Sequence, residues 1–361
     1  YRIDPNPGRG PSARVSRPGH RPLPIGAFMT TLADIPLSML DLVPVRTGGS
    51  VAEALHNSLD LARHVERLGF NRFWLAEHHN MDGIASSATA LLIGHIAGGT
   101  SRIRVGSGGV MLPNHAPLVV AENFGTLETL YPGRIDLGLG RAPGADQATM
   151  RALRRDRLGN GDDFPEQVAE LEMLLGPRRS QQSLLAVPGE GTQVPIWLLG
   201  SSLFSAHLAA QKGLPYAFAS HFAPRYLHEA LRIYRSNFQP SAVLDKPYAM
   251  IGVPLIAAPT DEEAEFLATT AFQRVLALIR GESLKQKPPV ESMAPLWLPH
   301  EQDAVGSFFG LAVIGGPEKV RARLEILLEQ TGADELIFTS DFYEHAHRLR
   351  SCEIVAELKG A

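Results

Sequence analysis

A chain of 361 residues with 44% hydrophobic and 20% charged residues can bury one large core or two ordinary ones, and reads as a globular protein. A formal net charge of −4 and a pI near 6.4 speak against nucleic-acid or membrane-surface partners. The single cysteine, Cys352, excludes a disulfide framework and argues against a cysteine metal site, so no metal is expected. No apolar run approaches the roughly 20 residues that span a bilayer, and a cytoplasmic protein is expected.

Residues 1–35 read as an extended arm, with prolines from Pro5 to Pro24 interleaved with arginines from Arg2 to Arg21. Such a segment either packs along a neighbouring subunit or forms a flexible tail. From Pro36 onward, short apolar runs alternate with helical patterns. A first strand covers 36–42. Ser50 and Glu53 form a capping box that opens a helix with Leu55, Leu59, Ala62, Val65 and Leu68 on its apolar face, ended by Gly69. The second strand covers 70–76, and a helix rich in small residues covers 86–99. The third strand, 103–110, breaks at Gly108–Gly109, and a helix follows Pro117. A Pro-Gly turn leads to the fourth strand, 135–139. Residues 142–194 are a polar excursion with one helix, 165–175. The fifth strand (195–199), a helix (202–212), the sixth strand (214–220), a helix (225–238) and a seventh strand within 248–257 come next. Thr260 opens a helix with Asp261, Glu262 and Glu263 in its first turn, which suits the helix dipole. A proline- and glycine-rich stretch, 281–312, precedes a helix from Pro317 to Glu329, the eighth strand (335–339) and a last helix (348–358). Eight β/α repeats predict a single (β/α)8 TIM barrel with insertions after strands four and seven; a doubly wound sheet is the other fold compatible with the pattern.

Parallel α/β folds bind ligands at the C-terminal ends of their strands, and the chemistry-bearing residues concentrate there. Glu77-His78-His79 follows the second strand directly; neighbouring side chains on extended backbone diverge, so one imidazole at most is expected to point inward. The alternative is one packed and one solvated histidine. Gly200-Ser201-Ser202-Leu203-Phe204-Ser205 joins the fifth strand to its helix, where backbone N–H groups and hydroxyls suit a phosphate, unless Ser201 or Ser202 simply caps the helix. Gly138-Leu139-Gly140-Arg141 ends the neighbouring strand, and its arginine can reach the same phosphate. The dinucleotide fingerprint fails, because Pro143 stands where a small residue is required. His56, His95, His207, His221 and His228 read as surface or satisfied histidines.

Together these motifs resemble the bacterial-luciferase-like superfamily of flavin-dependent monooxygenases. The marks are A-E-H-H-N after the second strand, S-R-I-R-V-G-S-G-G-V, A-P-L-V-V-A-E-N-F-G-T-L-E-T-L-Y-P-G-R-I-D-L-G-L-G-R, L-L-G-S-S-L-F-S-A-H-L-A-A-Q-K-G-L-P and G-G-P-E-K-V-R-A-R-L, over residues 36–358. The resemblance implies that His78 stands beside the flavin and supports its oxygen chemistry. It implies a non-prolyl cis peptide at Gly109–Val110, next to Gly108, against the flavin ring. Arg141, Ser202 and Ser205 match positions that hold the FMN phosphate, with Gly140, Gly200 and Ser201 beside them. Ser201 stands where luciferase carries a glutamate, and Gly140 where it carries a cysteine, so light emission is not implied. Residues 281–312 match a loop that shields the site from water.

The activity implied is a two-component monooxygenase that takes reduced FMN from a separate flavin reductase and acts with dioxygen on a small organic substrate. A homodimer through the helices over 86–99 and 118–130 is implied as well. Two alternatives stay open: hydride transfer with a deazaflavin, whose acidic tail asks for a basic cluster not identified here, and a flavin-binding protein without turnover.

Overall fold

The computed structural model describes residues 31–141, 147–153, 163–222 and 224–360. The arm expected over 1–35 therefore falls outside the described residues except for its last few, of which Leu32 and Ile35 are buried. Twenty-one elements follow in order: β1 (Leu37–Asp41), α1 (Val51–Arg67), β2 (Arg72–Leu75), α2 (Thr89–Gly99), β3 (Arg104–Ser107), β4 (Val110–Met111), α3 (Pro117–Leu130), β5 (Ile135–Gly140), α4 (Gln147–Leu153), α5 (Phe164–Leu175), β6 (Ile196–Gly200), α6 (Leu203–Lys212), β7 (Tyr216–Phe218), α7 (Leu227–Ser236), β8 (Ala249–Ala257), α8 (Asp261–Arg280), α9 (Pro299–Phe308), β9 (Val313–Gly315), α10 (Pro317–Thr331), β10 (Glu335–Thr339) and α11 (His345–Gly360). β10 pairs with both β1 and β8, so the parallel sheet closes on itself. The result is a TIM barrel in which β3 and β4 are one stave interrupted at Gly108–Gly109. The doubly wound alternative is excluded by that closure.

Both faces of every stave are covered, which explains continuous apolar runs such as the fully buried β8. The capping box that opens α1 is present: Glu53 N–H donates to Ser50 Oγ at 3.1 Å, and Ser50 N–H to Glu53 Oε2 at 3.4 Å. Gly69 takes φ +80°, as a residue that reverses the chain past a helix end must. The small residues of α2 let it pack within the chain: Gly94 lies against Leu127 of α3, and Gly99 against Leu59 of α1.

Inside the barrel, side chains stack in layers. The lowest is ionic: Arg72 bridges Asp136 (2.7 Å) and Glu335 (3.0 Å), and Arg104 also reaches Asp136 (2.6 Å). Above it lies an apolar layer of Leu40, Trp74, Trp197, Ala217, Met250 and Ile337, with the two indoles edge to face at 5.2 Å. The upper layer is left open and forms the site.

Several boundaries differ from the sequence reading, and the stretch 142–194 holds two helices, α4 and α5, instead of one. α2 starts at Thr89 instead of Ser86, because the hydroxyls of Ser86 and Thr89 both donate to Ala76 O and tie the loop to the end of β2. α11 starts at His345. The stretch 281–312 is not only loop: it contains α9, started by Pro299 and by Leu298 N–H donating to Glu301, and leads into β9, which pairs with the end of β8. Trp297 and Phe309 pack around Phe272 there, at 6.3 and 4.9 Å between rings.

Candidate active site

A cavity of about 520 Å3 opens at the C-terminal ends of the strands, within the size range of cofactor pockets. His78, Gly108, Gly109, Gly140, Arg141, Gly200, Ser201, Ser202 and Ser205 all line it, so residues far apart in sequence meet in one space. Val110 is the exception. It is buried and lines a separate cleft beside His115 and Phe124, between α2 and α3. The cis peptide also differs from expectation: it joins Gly108 to Gly109, one residue earlier than Gly109–Val110. Glycine is required on the packing side of this stave, because a side chain at Gly109 would come within 2.7 Å of Gly138 O. Trp74 and Leu40 support Gly108 from below.

The β6–α6 turn supplies the polar end. Ser202 is the N-cap residue of α6, yet its side chain makes no capping hydrogen bond, so the plain-capping alternative fails for Ser202. Arg141 reaches the same end from β5, its guanidinium stacked over Phe204 at 4.3 Å. Four hydroxyl- or guanidinium-bearing residues on two adjacent strand ends thus face one space beside a helix N-terminus, a donor set suited to a phosphate.

The Glu77-His78-His79 run divides as divergent side chains on an extended segment should. His78 faces the cavity, whereas Glu77 turns behind it and is buried. His79 Nε2 lies 2.9 Å and His115 Nε2 2.7 Å from Glu77 Oε1, and Met111 N–H donates to Oε2 at 3.2 Å. Burial alone would raise the Glu77 pKa; the hydrogen bonds from His115 and His79 outweigh it and hold the carboxylate below its ordinary range. Glu77, His79 and His115 have ligand-type atoms within 4.8 Å of one another and could also hold a cation. The sequence reading paired His79 with His78 and did not single out His115.

A second omission is His221. It follows β7 at the barrel mouth, lines the cavity, and packs on Phe222 at 4.6 Å, so it is not a surface histidine. Burial, aided by His78 and Arg274, lowers its pKa from 6.5 to about 4. A depressed histidine contributes stability that is complete above pH 6.5 and is lost as the pH falls toward 4. His221→Gln is therefore expected to lose less stability than the wild type between about pH 7 and about pH 4.5, measured as urea midpoints.

Comparison with known proteins agrees with this architecture. The model of the luciferase-like monooxygenase family matches residues 35–335. The chain belongs to that family. The Bacillus subtilis protein YvbT is 58% identical over 326 residues, covering 90% of this chain and 97% of that one. An Escherichia coli K12 luciferase-like monooxygenase is 53% identical over 325 residues, with 90% and 97% coverage. Among solved structures, apo-MsnO8 superposes with a TM-score of 0.80 at 36% identity, covering 90% of this chain and 98% of that one. More distant structures share the fold alone. They include the oxygenating constituent of 3,6-diketocamphane monooxygenase in complex with FMN (TM-score 0.68, 17% identity, 90% and 97% coverage) and a coenzyme F420-dependent reductase from Methanopyrus kandleri (0.62, 15%, 90% and 97%). Membership of this family supports a flavin-dependent monooxygenase. Among the described residues no helix is long and apolar enough to cross a membrane.

Proposed function

We propose that this luciferase-like protein is the oxygenating component of a two-component system, taking reduced FMN from a separate reductase and oxygenating a small organic substrate. The observation that carries the reading is the shared cavity, which has a phosphate-type donor set at one end, open glycine backbone along its side and an imidazole at its mouth. These residues fit FMN: Arg141, Ser201, Ser202 and Ser205 would hold the phosphate, and the ring would lie along Gly108–Gly109 above Trp74 and Leu40. When bound, reduced flavin supplies the electrons for dioxygen reduction, one oxygen atom entering the substrate and the other leaving as water.

The protein's own tasks follow from its side chains. Leu40, Leu42 and Phe222 keep water from the reacting region, where solvent would compete. His78, which lines the cavity, holds or passes a proton through its imidazole, a ring that can donate at one nitrogen and accept at the other. Leu91, Val119 and Leu130 are exposed along α2 and α3, the face on which a second copy of the chain would sit.

Anaerobic titration with reduced FMN, oxidised FMN and a reduced deazaflavin in parallel tests the reading. Selective binding of reduced FMN is the expected result. Preference for the deazaflavin would move the function to hydride transfer, and tight FMN binding without faster oxygen consumption would make the protein a flavin carrier.

A further inference from the structure

We propose that Glu77, His79 and His115 form a binding site for one zinc-type divalent cation, behind the wall of the cofactor cavity and separate from it. Two stretches of chain converge there. Glu77 and His79 follow β2, and His115 follows a short 3-10 turn, Leu112–Asn114, that continues from β4. None of the three lines the cavity, whereas His78, between the first two, does. Site and cavity therefore stand back to back. Cysteine is not needed for such a site, since two imidazoles and a carboxylate are an established zinc ligand set.

The ligand atoms already converge. Met111 N–H donates to Glu77 Oε2 at 3.2 Å, which fixes the carboxylate and leaves Oε1 to the two rings. His115 Nε2 lies 2.7 Å and His79 Nε2 2.9 Å from that same oxygen. One ligand atom from each residue falls within 4.8 Å of the other two. A tetrahedral ion with bonds of about 2.0–2.1 Å holds neighbouring ligand atoms about 3.3 Å apart, so each ring has to back away from Oε1 by roughly half an ångström. The rings are the partners able to move: the side chains of His79 and His115 are 16% and 31% exposed, against 2% for Glu77.

The surroundings suit a cation. Beside the site runs the cleft between α2 and α3, about 190 Å3, whose lining holds Glu77 and His115 as its ionisable groups and no lysine or arginine. A basic side chain that would repel the ion or compete for the carboxylate is therefore missing from that wall. Ser87 and Asn123 stand on it as polar partners for a water that would complete the coordination. Two nitrogen donors to one oxygen select a zinc-type ion over magnesium or calcium, which take oxygen ligands.

Calorimetric titration of the flavin-free protein with zinc, and separately with magnesium, tests the site. Zinc is expected to bind once per chain, at least about a hundredfold more tightly than magnesium. His115→Gln keeps a hydrogen-bond donor for Glu77 but gives up an imidazole ligand, and is expected to weaken zinc binding at least about tenfold. His79→Gln should do the same, and where one variant does not fold the other carries the comparison. Zinc should also raise the thermal midpoint of the wild type, and raise that of either variant less. Zinc bound no more tightly by the wild type than by the variants, zinc and magnesium bound alike, or no zinc bound at all would each overturn the inference. A triad that serves only as a hydrogen-bonded brace for Glu77 would give the last of these results. Every arm is read without flavin, so failure of the FMN reading leaves the outcome unaffected.

Discussion

His78→Ala is expected to lower turnover with reduced FMN and oxygen by about 10²- to 10⁴-fold, the usual span for one general acid–base group, while FMN affinity changes by no more than about twofold. The split follows from placement. His78 stands at the end of β2, whereas the phosphate-type donors stand on the ends of β5 and β6, so the substitution leaves that donor set intact. Backbone position is also protected: Glu77 remains anchored by His79, His115 and the Met111 N–H, and His78 N–H donates to Ser86 O at 3.0 Å whatever the side chain. Single-turnover kinetics and a flavin titration on the same preparation read the two effects separately. Wild-type turnover in the variant would remove His78 from the chemistry, and a large loss of FMN affinity would make it a binding residue.

The largest effect on stability is expected at the opposite end of the barrel. Arg72→Met should cost about 3–5 kcal/mol in urea unfolding, the range for removing one partner from a buried charge cluster. Asp136 and Glu335 are fully buried, and Arg72 contacts both, with its guanidinium stacked on Trp197 at 4.6 Å. Burial alone would lower the Arg72 pKa, but the charges of Asp136 and Glu335 outweigh it and raise it. After the substitution, Arg104 and the Trp74 indole still serve Asp136. Glu335 keeps only neutral donors from Ser38, Asn71 and Tyr248 around a buried negative charge. Adding Glu335→Gln to Arg72→Met should recover part of the loss. A single-variant cost below about 1 kcal/mol would show that water reaches this layer and screens it.

The contrast between these sites explains what could be read from sequence. Strand and helix order was legible because a barrel repeats one simple pattern, and glycines at strand ends mark where backbone must approach backbone. One inward imidazole in Glu77-His78-His79 was legible because the run follows a strand directly; that it is His78 came from the family resemblance. The same logic applied to His221, which follows the sixth strand of the sequence reading at 214–220, but its position was passed over among scattered histidines. His115 carried no local signal, since only the fold brings it to Glu77. The ionic layer has a signal of its own in the sequence: Arg72 and Glu335 open the apolar strands β2 and β10, Asp136 interrupts β5, and charges in such places need one another. The cis peptide was placed one residue late because two consecutive glycines offer no side chain to fix the register. α9 was hidden by its proline- and glycine-rich surroundings, although Pro299 and Glu301 are helix-start residues.

The charged layer across the lower barrel has a bearing on traffic. It makes the barrel a blind-ended vessel, filled and emptied over a single rim. Whatever binds inside must enter and leave across that rim, so the groups standing on it govern exchange in both directions.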